Sequence, residues 1–446
     1  MFLYVGFICA FGQPLRNLKM MDLESSIDLK ELPDLSTATN LETLILEGCS
    51  SLTKLPDLLT ATSLKTLNLD SCSSLMELPS LPGNANATNL TYLSLRGCSS
   101  LVELPSSIGN ATNIKELVLD DCSNLVELPF SIGNLHKLLR LIMRGCSKLE
   151  VLPTNINLES LEELYLQNCS LLKTFPEIST NIKLLHLTRT AVEEVPLGIR
   201  SWSRLEELHM SYCENLKNSP HALDSITDLH LTDTEIQELG PWIKGFSRLR
   251  RLVLNGSQKL VSLPQLPDSL LFLDAENCES LEKLDCSFCN PDMSLNFYNC
   301  FKLNQEARDL IIQASNRPVS VVPGGEVPAY FSDRATGSIV TVKLNERPPH
   351  KPLRFKACVM LVDNVDNPPC GGTYSMYLQY KIMDKQNGVI VPCPPGYLSL
   401  PRAVTFVGHL YTFNLEVDVT SNELCFELTV YCKEWDVKEC GVLQLS

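Results

Sequence analysis

Cysteine and histidine are the residues of this 446-residue chain best suited to hold a metal or act as a nucleophile, and there are 18 and 7 of them. Eight cysteines, Cys49, Cys72, Cys98, Cys122, Cys146, Cys169, Cys213 and Cys278, recur at one position of a regular spacing, with Thr190, Thr234 and Ser257 at the equivalent place elsewhere. Metal sites in a short motif gather their ligands in close pairs, whereas single thiols at long intervals each serve their own stretch of chain. The expectation is a buried, small, weakly polar side chain that satisfies local backbone groups, in a compartment that keeps thiols reduced. Cys286-x-x-Cys289 with Cys300 is part of a metal pattern without the second pair, and reads as half-buried thiols. His186, His209 and His230 also share one periodic position, which on neighbouring strands would set them about 5 Å apart. Zinc or proton binding is conceivable there, but an exposed polar column is the simpler reading. No nucleophile elbow, phosphate loop, glycine-rich dinucleotide turn or H-E-x-x-H occurs, so no catalytic residue, cofactor or metal is assigned.

The elements that position these residues are repeats. Segments of the form L-x-x-L-x-L start at Leu18, Leu41, Leu64, Leu90, Ile114, Leu138, Leu161, Ile182, Leu205, Ile226, Leu249 and Leu270, giving twelve units of about 23 residues. LTYLSLRGCSSLVELP (Leu90 to Pro105) is representative, and its period and consonant pattern match the leucine-rich repeat. Within each unit x-L-x-L-x is a short strand whose leucines point inward. Stacked units pair these strands into one parallel, curved sheet, and no unit can bury its leucines alone.

Outward strand positions then form columns on the concave face. One runs through Tyr165, His186, His209 and His230, with Tyr92, Arg96, Arg140, Arg144 and Arg251 beside it, and these nine are the expected partner-binding residues. The net charge is −15, and residues 1–285 hold −13 of it, which disfavours a nucleic-acid partner. No stretch reaches the 18 to 20 apolar residues that cross a bilayer. The apolar run Met1 to Phe11 has the length of a secretory core but lacks a preceding basic residue and a convincing cleavage site.

Leucine makes up 63 of residues 1–285 and only 15 of residues 286–446, which marks a change of architecture. Asn296 to Ser315 has apolar residues at helical spacing and is expected to form one amphipathic helix that caps the repeats. Short β-forming runs follow, including SIVTVKL, FKACVMLV, YSMYLQYKI, YTFNLEV and ELCFELTVY, separated by Pro, Gly and Asn clusters. The expected class is therefore an α/β leucine-rich-repeat solenoid followed by a mainly antiparallel β-sandwich. The expected divisions are 1–17 as an apolar segment and partial cap, 18–285 as repeats, 286–320 as a helical linker and 321–446 as the sandwich.

Three stretches resemble a known family: QPLRNLKMMDLESSIDLKELPDLSTATNLE (Gln13 to Glu42), the recurring GCSSLVELPSSIGN form, and VVPGGEVPAYFSDRATGSIVTVKLNE (Val321 to Glu346). They are similar to the C-terminal portion of plant disease resistance proteins of the TIR, nucleotide-binding, leucine-rich-repeat type. The last stretch looks like the signature of the jelly-roll/Ig-like domain that follows the repeats, to which Pro323, Gly324, Glu326, Val327, Pro328, Tyr330 and Phe331 would belong as structural residues. The resemblance implies recognition of a pathogen effector protein by the repeats and the sandwich together, in the cytoplasm or nucleus, alongside receptor chains carrying TIR and nucleotide-binding domains. It implies no enzymatic activity here, because the NAD-hydrolysing TIR domain is not among these residues, and the chain reads as the recognition end of a longer receptor. The competing reading is a secreted ligand-binding solenoid, which would use N-x-S/T sites such as Asn86 and Asn110.

Overall fold

In the computed structural model, residues 15–81, 89–216, 225–285, 288, 290, 292–314, 319–344, 352–363, 376–386, 388–391, 397–400, 408–419, 421–430 and 435–445 are described. Met1 to Phe11, Asn86 and the pair Cys286 and Cys289 lie outside them. The chain divides into two compact units, Met1–Glu235 and Ile236–Ser446.

The first unit is a parallel ladder of three-residue strands: β1 (Met20–Asp22), β2 (Thr43–Ile45), β3 (Thr66–Asn68), β4 (Tyr92–Ser94), β5 (Glu116–Val118), β6 (Arg140–Ile142), β7 (Glu163–Tyr165), β8 (Leu184–His186), β9 (Glu207–His209) and β10 (Asp228–His230). Each pairs with the next in register, so Leu44, Leu67, Leu93, Leu117 and their equivalents stand in line, fully buried. Every strand ends in a tight turn whose residue before the cysteine position has positive φ, for example Gly48 at 75°, Gly97 at 72° and Asn168 at 62°. That explains why Gly, Asn, Asp and Ser recur there, the residues that adopt the left-handed conformation at least cost.

The turn points the cysteine inward. Cys49, Cys72, Cys98, Cys122, Cys146, Cys169 and Cys213 are buried free thiols, and each Sγ donates to a main-chain carbonyl of the preceding unit at 3.1–3.2 Å. At its position Thr190 instead donates to Leu187 of its own turn at 2.8 Å. After the strand, Pro105 and Pro129 lead into 3-10 turns, Ser106–Asn110 and Phe130–Asn134. These turns stack so closely that a Cβ on Gly109 would lie 2.5 Å from the Ser131 carbonyl oxygen.

The second unit opens with the same construction: β11 (Arg251–Val253), β12 (Ser262–Leu263), β13 (Phe272–Asp274) and β14 (Lys283–Leu284), with β11 parallel to β13 and β12 parallel to β14. The ladder does not stop at Asp285. β15 (Ser294–Asn296) pairs in parallel with β13, and Met293, Leu295, Phe297, Cys300 and Leu303 fill the buried positions of a further turn. Cys300 is fully buried and donates to the Ala275 carbonyl at 3.0 Å, as the other ladder thiols do. The helix is shorter than expected from Asn296 to Ser315: α1 is Gln305–Ala314, because Asn296 to Leu303 form this extra turn. The aromatic and leucine spacing of the extra turn also fits a helical face, which explains the difference.

Among the described residues, nine strands complete the unit: β16 (Ser320–Pro323), β17 (Asp333–Thr336), β18 (Ile339–Lys343), β19 (Leu353–Asp363), β20 (Met376–Asp384), β21 (Tyr397–Leu400), β22 (His409–Val417), β23 (Glu423–Val430) and β24 (Trp435–Leu445). β16 is the joint, parallel to β15 on one side and antiparallel to β22 on the other. Antiparallel pairing continues from β22 to β19, β24 and β17, while β18, β23, β20 and β21 form a second antiparallel sheet. Phe355, Phe413, Tyr411, Phe426 and Leu378 fill the core between the two sheets, with Phe355 and Phe426 edge to face at 5.2 Å. The architecture is thus a parallel solenoid with an antiparallel sandwich, with the change of pairing direction located at one four-residue strand.

Candidate recognition site

In the first unit, in-register pairing sets Tyr165 beside His186, His186 beside His209, and His209 beside His230. Their rings stack with centroids 5.2, 3.9 and 4.2 Å apart and interplanar angles of 12°, 20° and 23°. Arg144 extends the row, its guanidinium 4.7 Å from the Tyr165 ring centroid. A guanidinium, a phenol and three imidazoles therefore form one continuous stack on the open face of the sheet. Parallel pairing fixes the rungs about 4.8 Å apart, close to the spacing at which flat rings pack face to face.

Charged neighbours hold the stack in place. The Tyr165 hydroxyl donates to Glu163 Oε2 at 3.0 Å, and burial, then this bond, pushes its pKa up. Glu163 is also bridged by Arg140 at 3.1 Å, and Arg140 reaches Glu116 at 3.8 Å. Arg144 lies 3.7 Å from Asp120, whose carboxylate takes the Arg144 backbone N–H at 2.8 Å. Burial raises the pKa of Asp120, against that bond and the Arg144 charge. His209 Nε2 lies 3.3 Å from Glu207 Oε2. His186 is strongly perturbed: burial, then the neighbouring His209, Arg144 and His230, lowers its pKa to about 4. It is therefore neutral at physiological pH, and a cation there would sit among like charges.

The structure brings together five of the nine expected partner-binding residues, Arg144, Tyr165, His186, His209 and His230, with Arg140 attached through Glu163. Tyr92 and Arg96 stand on an earlier rung, outside the stack. Arg96 is exposed, and its backbone N–H is held by Asp70 at 3.1 Å. Arg251 belongs to the second unit, where its guanidinium covers Phe272 at 4.3 Å. Close to it, Asn296 Nδ2 donates to Asp274 and Glu276 at 3.0 and 3.1 Å, and burial raises the pKa of both carboxyls.

Sequence reasoning missed Asp70 and Asp120, although an Asp two residues before the ladder cysteine, in LDSC and LDDC, was the visible signal. It also missed Arg189 and Tyr212. Both occupy the left-handed turn position at φ 58°, and they stack at 4.5 Å, so two bulky residues carry strain that glycine avoids elsewhere.

The ladder thiols are poor candidates for chemistry: all are buried, and burial drives the pKa of Cys49, Cys72, Cys98, Cys122 and Cys213 upward, to about 12 for Cys122. Among the described residues no group of three or more His, Cys, Asp or Glu is arranged to hold a metal ion, and no helix is long and apolar enough to cross a membrane. Of the sandwich signature, Val327 and Phe331 are buried against Gly441, and the Val327 N–H donates to Glu439 at 3.0 Å. Pro323 closes β16, Gly324 N–H donates to Gly408 at 2.8 Å, and Glu326, Pro328 and Tyr330 line a cavity.

A stacked parallel ladder of about twelve turns with inward leucines defines a leucine-rich-repeat protein, and the family model for a leucine-rich repeat region matches residues 41–275. The chain belongs to that family, and a C-JID domain model matches residues 322–445, so its two parts are those of the C-terminal region of plant TIR, nucleotide-binding, leucine-rich-repeat proteins. It is 51% identical over 293 residues to "Probable disease resistance protein RPP1" of Arabidopsis thaliana, across 65% of this chain and 24% of that protein. It is 46% identical to "Disease resistance protein TAO1" over 35% of this chain and 13% of that protein, and 36% identical to "Disease resistance-like protein DSC2" over 39% and 17%, both from Arabidopsis thaliana. The chain thus spans a quarter or less of the length of these relatives.

Proposed function

We propose that this chain is the recognition region of an intracellular plant immune receptor, binding a pathogen effector protein through the concave sheet face of its repeats and the C-terminal sandwich. It carries out no reaction of its own, and signalling is left to TIR and nucleotide-binding domains in the same receptor assembly. The site of action is the cytoplasm or nucleus, where the free buried thiols of the ladder would remain reduced.

The observation that carries this reading is the stack from Arg144 to His230. Its rings cover one another's faces and fix one another's rotamers, so they can meet a partner with their polar edges at little further entropic cost. Tyr and Arg are the side chains that most often dominate protein interfaces, and the flanking carboxylates and Arg140 add charge selectivity. The test is to sort a yeast-displayed library of secreted proteins from plant pathogens with this chain and with its Arg140→Glu, Arg144→Glu, Tyr165→Ala, His209→Ala variant. Clones that bind the parent and not the variant are expected. If every binder treats the two alike, the sheet face is not the recognition surface.

A further inference from the structure

The second unit holds a cavity of about 570 Å³ that sheet-face recognition leaves unused. One wall is α1, through Gln305, Asp309 and Ile312; the other is the signature turn through Glu326 and Tyr330. Two carboxylates line it. Asp309 takes a hydrogen bond from Gln305 Nε2 at 3.0 Å, Glu326 is exposed, and neither has an ion-pair partner within 4 Å among the described residues. One cation, Arg308, also lines the cavity, and its Nε and Nη2 are committed to the carbonyls of Leu303 and Phe301 at 2.9 and 2.8 Å.

Tyr330 supplies an aromatic face. It is 38% exposed, while its neighbour Phe331, stacked on it at 5.4 Å, is buried and anchors the turn. Burial raises the Tyr330 hydroxyl pKa, and the Asp309 charge adds to the rise, which puts that carboxylate within electrostatic reach of the ring. The turn also leaves room. A Cβ on Gly325 would meet no atom within 4 Å, in contrast to Gly324, where it would press on Leu410 at 2.6 Å.

We propose that this cavity receives an arginine side chain of a protein partner, its guanidinium held by the carboxylates of Asp309 and Glu326 and covered by the Tyr330 ring. The two carboxylates outnumber the one lining cation, Arg308, which bonds to carbonyls and not to them, and the remaining negative charge selects a cation. The planar fork of arginine matches carboxylates and an aromatic face together, which a lysine ammonium does not. The site is argued from residues apart from the histidine stack and does not depend on which protein binds the sheet face.

The experiment titrates the full chain with N-acetyl-L-arginine amide and with its uncharged analogue N-acetyl-L-citrulline amide, read by saturation-transfer NMR at low salt. The arginine compound is expected to bind saturably and about tenfold more tightly than the citrulline compound, the scale of a charged hydrogen bond. Glu326→Gln and Asp309→Asn should each weaken it about tenfold at unchanged melting temperature. Gly325→Leu, whose side chain grows into open space, should abolish binding. Equal binding of the two compounds, absence of saturable arginine binding, or undiminished binding by Gly325→Leu overturns the proposal. If Asp309→Asn fails to fold, the two exposed positions, 325 and 326, still decide it.

Discussion

The chemistry of this chain at the residue scale is set by where its titratable groups are buried. Cysteine, present 18 times, is almost silent in the ladder because each ladder thiol is enclosed and bonded to a carbonyl. Histidine is different, since the column faces solvent on one side. With its pKa lowered to about 4, His186 binds fewer protons in the folded chain than in the unfolded chain, whose histidines titrate near 6.5. Its contribution to stability is therefore complete above pH 6.5 and lost progressively as the pH falls toward 4. Thermal melts between pH 7.5 and 4.5 should show a decline that is shallower in His186→Gln; identical slopes would mean that His186 titrates normally. The column was legible in the sequence because three histidines share one period. The stacking was not, because ring orientation depends on side-chain contacts that the period does not encode: the Glu163 bond to Tyr165 within β7 and the Asp120 grip on Arg144 from one repeat to the next.

Within elements, short strands and turns were readable because their rule is local: leucine inward, a left-handed turn residue, then cysteine. The failure at Asn296 to Leu303 is equally local. NFYNCFKL spaces its apolar residues in a way that fits a helix, and only pairing to β13 makes Ser294–Asn296 a strand. That pairing is a tertiary event, as is the anchoring of α1. Lys356, on β19, is 2% exposed and its Nζ donates to the carbonyls of Ile312 and Gln313 at 2.7 and 2.6 Å, closing the C-terminal end of α1. Burial lowers its pKa to about 8, while the two carbonyls and the negative end of the helix favour the cation. Lys356→Met leaves those carbonyls without a donor and should cost about 2 kcal/mol in urea unfolding. A loss below ~0.5 kcal/mol would show that water caps the helix equally well.

At the scale of the whole molecule, the last repeat turn and the sandwich meet at one joint. β16 joins the last repeat strand to the sandwich, Tyr298 stacks on the buried His409 at 4.4 Å, and the Asn299 N–H donates to His409 Nε2 at 3.0 Å. A fragment 236–446 should therefore melt cooperatively, whereas 321–446, which lacks the extra turn and α1, should melt at a lower temperature or remain partly unfolded. Equal melting temperatures would mean that the sandwich does not need the repeats beside it. The contacts at this joint were not legible in the sequence because they span more than a hundred residues, while leucine content changes close to Asp285. The central claim is that the stack on the sheet face is a recognition surface. It is tested most directly by the dissociation constants of one captured effector for the parent chain and for Tyr165→Ala/His209→Ala. A loss of about thirtyfold or more at unchanged melting temperature is predicted, the effect of removing one interface anchor worth about 2 kcal/mol. Constants within twofold of each other would contradict it.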